Sequence, residues 1–191
     1  MTVEEIFGRI STHMLNGIMV HEQLANYYDF LGLWGYKRCH EYHFYSESIS
    51  YRDICSFYIS AYNKLINEQI PDTSSVIPQS WYRYNRFDVD VNTKKNAIQT
   101  GLNKWVNWER DTKAFYESMY KELINIGEIN AAIMVSKLIE DVSSELKCAE
   151  QYLLNKEAIG YNMSDIIIEQ NCEKDMYSKK ICKLFGKKWY R

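Results

Sequence analysis

Residues 32–47 read GLWGYKRCHEYHFYSE and lie between two long segments of helical periodicity. Gly32 and Gly35 stand three residues apart, a spacing that ends one helix and lets the chain reverse before the next. The preceding segment repeats apolar residues along one helical face, at Val3, Ile6, Ile10, Met14, Ile18, Ala25 and Tyr28. We therefore predict an antiparallel helical hairpin, with one helix to about Leu31 and the next from about Tyr36 to Gln69.

A long polar connection follows this hairpin. It runs from about residue 70 to residue 92 and contains the only two prolines of the chain, Pro71 and Pro78. A connection of roughly 20 residues exceeds the usual link between neighbouring helices. It has the length of a crossover that runs along a whole bundle.

A second hairpin is predicted from the rest of the pattern. One helix begins at the N-cap Thr93 and ends at the turn 125–127, and the next covers about residues 128–156. A further helix runs from the N-cap Ser164 to at least Cys182. The predicted fold class is all-α: a four-helix bundle of two antiparallel hairpins with a long second-to-third crossover and an additional C-terminal helix.

Composition is that of one globular domain. Of the 191 residues, 46% are hydrophobic and 25% are charged, far from the composition of disordered chains. We predict that residues 1–160 form the bundle and that residues 161–191, a helix and a basic tail, pack on the same domain. The net charge of -2 gives no general attraction to nucleic acid or to an anionic membrane.

The cysteine pattern and the N-terminus predict a cytoplasmic protein. The five cysteines include no C-x-x-C pair, which argues against a disulfide framework and a thiolate zinc site. The N-terminus lacks the basic and apolar regions of a signal peptide, and no apolar run reaches the ~20 residues that span a bilayer. No Gly-rich phosphate loop, G-x-S-x-G or H-E-x-x-H motif is present. Because these common enzyme signatures are absent, the sequence favours a protein that is not an enzyme.

Each predicted bundle helix carries one acid on its apolar stripe: Glu22, Glu47, Glu109 and Asp141. Glu22 and Glu47 are almost equally far from the first turn, as are Glu109 and Asp141 from the second. In an antiparallel hairpin, equal distance from the turn means equal height, here roughly 15–25 Å from each turn at 1.5 Å per residue. We expect the four carboxylates to meet near the middle of the bundle.

The run from Gly32 to His40, with Glu47 following twelve residues after Gly35, resembles the first turn and second helix of ferritin-like proteins. The long crossover and the short second turn are similar to that family as well, so the resemblance covers about residues 3–157. The chain is also similar to sequences of Firmicutes prophages.

The resemblance implies a set of ligands. Ferritin-like diiron sites take one Glu from the first and third helices and a Glu-x-x-His motif from the second and fourth. Carried over, Glu22 and Glu109 match the single acids, whereas Glu47 and Asp141 match the starts of the two motifs.

Both motif histidines are replaced in this sequence, by Ser50 and Ser144. A hydroxyl does not replace an imidazole as an iron ligand, so we expect no ferroxidase and no oxygen-activating diiron centre. His43, one turn before Glu47, and Glu145, one turn after Asp141, are further candidate ligands. Such a set suits Mn, Mg or Ca better than Fe, and the sequence leaves open whether any of these ions is bound. The alternative is that the acids pair with one another, with tyrosines, or with bases such as Lys37 and Arg38, or that they simply lie off the core.

Two aromatic and basic segments suggest binding surfaces. The predicted crossover contains Trp81, Arg83 and Arg86, residue types that dominate protein interfaces. The C-terminal tail contains Lys187, Lys188 and Trp189, a mixture that suits phosphate contact and base stacking.

The sequence therefore supports two functional hypotheses. The first is a ferritin-like protein with a degenerate carboxylate centre that holds a divalent metal without redox catalysis. The second is a phage- or mobile-element-encoded interaction protein, such as an inhibitor of a host defence nuclease, that uses the bundle as a scaffold. A protein partner, a nucleic acid bound by the tail and an oligomeric state all remain open; a membrane partner is not expected.

Overall fold

A computed structural model of the chain describes residues 1–69, 84–85 and 88–185. These residues form five α-helices: α1 (Val3–Phe30), α2 (Trp34–Tyr62), α3 (Val91–Asn125), α4 (Ile129–Ala158) and α5 (Met163–Phe185). The part of the chain that the structure describes contains no β-strand. None of its helices is both long and apolar enough to cross a lipid bilayer.

The directions of the helices follow from two apolar clusters at opposite ends of the bundle, which we call the lower and the upper cluster. The lower cluster joins the start of α1 (Ile6) to the end of α2 (Tyr58), the end of α3 (Leu123) and the start of α4 (Ala131). The upper cluster joins the other end of each helix. Thus α1 and α2 are antiparallel, α3 and α4 are antiparallel, and α2 and α3 run in the same direction. The predicted all-α bundle with a connection between opposite ends is confirmed.

The predicted boundaries of the crossover are wrong by several residues. α2 ends at Tyr62, not near Gln69, because Asn63 adopts a left-handed conformation with φ 52°. α3 begins before Thr93, because the carboxylate of Asp90 accepts hydrogen bonds from the backbone N–H groups of Asn92 and Thr93 and so caps the helix.

The start of α5 differs from the prediction in the same way. Asn162, rather than Ser164, supplies a side-chain cap: its Oδ1 accepts a hydrogen bond from the backbone N–H of Ser164 at 2.9 Å. The helix therefore begins at Met163 and not after Ser164. Both errors arise because an Asp or Asn just upstream competes with the hydroxyl residue for the capping position.

The two glycines of the first turn have different roles. Gly32 has φ 74° and makes the reversal, as predicted. Gly35 already belongs to α2, and a β-carbon at this position would overlap the backbone of Gln170 in α5. The N–H of Gly35 also donates to Oε1 of Gln170 at 2.8 Å. Gly35 therefore allows α5 to pack closely against the start of α2.

Candidate metal centre

A layer of buried polar side chains separates the two apolar clusters at the middle of the bundle. Every bundle helix contributes to it: His21 from α1, His40, His43 and Glu47 from α2, Glu109 from α3, and Glu145 from α4. His21 and Glu109 are 0% exposed and His40 is 1% exposed. Charged and polar groups at such depth are costly unless they are paired or bound to a metal ion.

His21 lies between two carboxyl groups. Its Nε2 is 3.3 Å from Oε1 of Glu109 and 3.6 Å from Oε1 of Glu47. Burial opposes the positive charge of this imidazole, but the two carboxylates outweigh burial and raise its pKa to about 10. His21 is therefore an imidazolium at neutral pH.

His40 remains neutral beside this cation. Burial lowers its pKa well below the usual value, and the nearby charges of His21 and His43 act in the same direction. The Nδ1 atoms of His21 and His40 are 3.0 Å apart. The cationic His21 consequently donates this hydrogen bond, and the neutral His40 accepts it.

Helices α2 and α4 supply a second histidine–carboxylate pair. Nδ1 of His43 lies 3.1 Å from Oε1 of Glu145. Burial opposes ionisation of Glu145, but His43 and then His21 lower the pKa of its carboxyl group. The indole N–H of Trp105 donates to Oε1 of Glu109 at 2.9 Å and fixes that carboxylate. Burial raises the pKa of Glu47 despite the opposing charge of His21.

Glu22 does not join this layer, contrary to the sequence-based expectation. It is half-buried and accepts a hydrogen bond from Asn26 of its own helix at 3.3 Å. The buried face of α1 passes through Gly17 and His21 rather than through Ile18 and Glu22. A β-carbon at Gly17 would lie 2.6 Å from Oε2 of Glu47, so the missing side chain provides the space for that carboxylate.

The layer faces a cavity of about 320 Å³ whose wall includes His43, Glu47, Glu109 and Glu145. Asp141 is exposed and lies on the rim rather than in the layer; burial and the charge of Glu145 raise the pKa of its carboxyl group. The rim also contains short side chains from α2 and α4, namely Ser46, Ser50 and Ser144. The cavity therefore opens between these two helices, where the family pattern has histidines.

Several buried atoms of the layer have no hydrogen-bond partner. They are His21 Nε2, His43 Nε2, Glu47 Oε2 and Glu109 Oε2. Within residues 1–69, 84–85 and 88–185, however, no group of three or more His, Cys, Asp or Glu side chains could hold a metal ion as those side chains stand. The donor types fit a divalent ion, but the side chains pair with one another instead of surrounding one position.

The other candidate residues lie elsewhere. Lys37 pairs with Asp29 at 3.0 Å, and Arg38 pairs with Glu41; both of these acids lie outside the layer. The six predicted binding residues all fall outside the described part of the chain: Trp81, Arg83, Arg86, Lys187, Lys188 and Trp189.

The sequence analysis identified Glu47, Glu109, His43 and Glu145 as candidates but missed His21 and His40. The signal for His21 was Gly17, four residues earlier on the same face. A small residue in a helix core position indicates the close approach of another side chain.

Among solved structures, the fold is similar to that of a ferritin of Archaeoglobus fulgidus, from a study that engineered a closed form of that ferritin by site-directed mutagenesis. The TM-score is 0.71 at 10% sequence identity, over 91% of this chain and 96% of the ferritin chain. No protein-family model matches the chain, and no curated protein matches it. The similarity shows a ferritin-like fold.

Proposed function

We propose that this ferritin-like bundle binds one divalent metal ion through Glu47, Glu109, Glu145 and His43. The observation that carries the proposal is the set of unpartnered buried atoms in the cavity wall, His43 Nε2, Glu47 Oε2 and Glu109 Oε2. Buried polar atoms in folded proteins nearly always have a partner, and an ion would supply a common one. Residues with such donors in a bundle core are typical metal ligands.

Charge accounting supports one ion rather than two. With the three glutamates as carboxylate ligands and His43 as a neutral imidazole ligand, the ligand set would carry three negative charges, and the imidazolium of His21 would carry one positive charge behind it. The remaining two negative charges equal the charge of a single divalent ion. His21 thus occupies a charge-compensating position beside the carboxylates of Glu47 and Glu109.

Metal uptake requires a small rearrangement. Glu47 and Glu109 contact His21, and Glu145 contacts His43, through their Oε1 atoms. Rotation of the Glu47 and Glu109 carboxylates would bring their unpartnered Oε2 atoms toward the cavity. Three carboxylates with one imidazole form a donor set that suits Mn²⁺, and we expect Mn²⁺ to bind.

Elemental analysis of protein purified without added metal, then dialysed against Mn²⁺, Mg²⁺, Ca²⁺ or anaerobic Fe²⁺, tests the proposal. We expect about one Mn²⁺ per chain, lost in Glu109→Gln and retained in the matched control Glu22→Gln, whose side chain lies outside the layer. Absence of retained metal, or equal metal contents in the two variants, would contradict the proposed site.

A further inference from the structure

A second cavity, of about 600 Å³, lies between α1 and α3 and shares no lining residue with the cavity beside the polar layer. We call it the α1–α3 groove. Two contacts between these helices bracket it: the hydroxyl of Tyr27 donates to the carbonyl of Ala97 at 3.1 Å, and Nε2 of His13 lies 2.9 Å from Oγ1 of Thr112. The contacts are roughly 22 Å apart along α3, at about 1.5 Å per residue. They fix the spacing of the two helices at both ends, so the groove is formed before any ligand binds.

Carboxamide side chains dominate the walls of the α1–α3 groove. They are Asn16 of α1 and, along the exposed side of α3, Asn96, Gln99, Asn103 and Asn107. Each carboxamide carries both hydrogen-bond donors and an acceptor. Contacts within α3 hold some of them in place: Nδ2 of Asn103 donates to the carbonyl of Gln99 at 2.8 Å. The groove therefore presents a row of uncharged donors and acceptors along its length.

The charge and the polarity of the lining narrow the class of ligand. Lys104 and Asp111 contribute one charge of each sign, and no arginine occurs among the described residues that line the groove. A phosphate or a nucleic acid would therefore gain little electrostatic attraction. Among the same residues only Val20 and Trp108 are apolar, whereas a bound peptide needs pockets for its side chains. A neutral ligand rich in hydroxyl groups matches this lining better than either.

Trp108 supplies the aromatic surface of the groove. Its indole ring stacks on the imidazole of His13, with the ring centroids 4.9 Å apart and the planes 8° from parallel, so the indole is fixed in position. Its Nε1 is buried and has no hydrogen-bond partner in the part of the chain that the structure describes. A sugar ring has an apolar face that packs on an aromatic ring and hydroxyl groups that accept from an indole N–H.

We propose that the α1–α3 groove binds a neutral oligosaccharide. The carboxamides of α3 bond the sugar hydroxyls, each of which both donates and accepts, and Trp108 packs against one sugar ring. The volume of about 600 Å³ equals that of roughly 20 water molecules at ~30 Å³ each, which leaves room for a chain of a few sugars. This binding site is independent of the proposed metal site, because the two cavities share no residue.

Heteronuclear NMR of the isotope-labelled full chain tests the site, because it resolves the indole N–H signal of each tryptophan. The chain is titrated with maltotriose, cellotriose and chitotriose, and Trp108→Phe assigns the Trp108 signal. We expect at least one of these trisaccharides to shift that signal with a Kd of about 1 mM or below. The signal of Trp34, which is exposed and lies outside the groove, should not shift. Triglycine and inorganic phosphate, at equal concentrations, should shift neither signal.

Two asparagine variants of α3 provide a matched comparison. Asn103 lines the groove, whereas Asn92 lies on the same helix outside it, and both are exposed, so neither substitution should disturb the fold. Asn103→Ala should raise the Kd of the bound trisaccharide by about fivefold, the effect of losing a hydrogen bond, and Asn92→Ala should leave it unchanged.

Three results would overturn the oligosaccharide site. The first is a Trp108 signal that none of the three trisaccharides shifts. The second is a larger shift with triglycine or phosphate than with any trisaccharide, which would assign the groove to a peptide or an anion. The third is an equal Kd in the wild type and in Asn103→Ala, which would place the sugar away from the carboxamides of α3.

Discussion

At the scale of single residues, Gly17 and His21 determine the geometry of the polar layer. Gly17 leaves space for the carboxylate of Glu47, and His21 places a positive charge between Glu47 and Glu109. The two residues lie one turn apart on α1, so a single helical face provides both the space and the charge.

We expect Gly17→Ala to weaken metal binding with little effect on stability. The added methyl group would displace the flexible end of Glu47, while the better helix propensity of Ala contributes about 1 kcal/mol in the opposite direction. The Mn²⁺ affinity should fall by at least about tenfold. Isothermal titration and urea unfolding measure the two effects, and Met19→Ala, at an exposed position of the same helix, is the control. Unchanged affinity in Gly17→Ala would argue against Glu47 as a ligand.

The charge of His21 predicts a pH dependence of the metal-free protein. The pKa of His21 is raised from 6.5 to about 10. Its contribution to the free energy of unfolding is therefore fully present below pH 6.5 and is lost as the pH rises through 10. The contribution has an upper bound of roughly 5 kcal/mol. In EDTA, His21→Gln should therefore lower the free energy of unfolding more at pH 7 than at pH 9.5.

His13 provides the control for this measurement. It is stacked between Trp108 and Phe115, and burial lowers its pKa to about 4. His13 is neutral across the whole interval, so the effect of His13→Gln should not change between pH 7 and pH 9.5. If His21→Gln were equally insensitive to pH, His21 would not be the buried cation.

At the scale of the helices, the sequence predicted much of the arrangement but gave the wrong buried face for the middle of α1. Turns at Gly32 and Gly127 follow from local conformational preference and could be identified without knowledge of the packing. The choice between the Ile18–Glu22 face and the Gly17–His21 face could not, because hydrophobicity favours Ile18 and only the contact with Glu47 requires Gly17. A shift of one residue turns a helix by about 100°, which exchanges Glu22 for His21 in the core.

The attachment of α5 should weaken as the pH rises. Glu173 of α5 is 9% exposed, and burial raises the pKa of its carboxyl group from 4.5 to about 7. The contribution of the neutral carboxyl group of Glu173 to the free energy of unfolding is fully present below pH 4.5. Ionisation of this buried group removes that contribution, roughly 3 kcal/mol in total, as the pH rises through 7. Glu173→Gln should therefore slow hydrogen exchange in α5 at pH 8 relative to the wild type, but much less at pH 5.

The exposed Asp175 on the same helix is the control for Glu173. Lys156, which is fully buried in α4, remains paired with Glu169 when Glu173 is replaced. Asp175→Asn should leave hydrogen exchange in α5 unchanged at both pH values. Faster exchange in Glu173→Gln at pH 8 would mean that the carboxylate of Glu173 stabilises the helix instead of opposing its attachment.

At the scale of the whole molecule, a polar layer divides one hydrophobic core into two clusters. Buried charges rarely improve stability over apolar side chains of similar size. A protein of this fold that only needed a stable bundle could fill the layer with apolar residues. The proposed metal site would give a reason for polar residues at the middle of the bundle.

The same layer predicts that the protein does not oxidise Fe²⁺. The positions of the two motif histidines, Ser50 and Ser144, line the cavity and offer hydroxyl groups only. Because the positive charge of His21 offsets one of the three glutamates, the remaining negative charge can balance one divalent ion, whereas a diiron centre contains two. Stopped-flow absorbance should show Fe²⁺ oxidation at the buffer rate in the wild type and in Glu47→Ala alike. A rate well above that of buffer that Glu47→Ala abolished would show that the layer holds a redox-active centre despite the two serines.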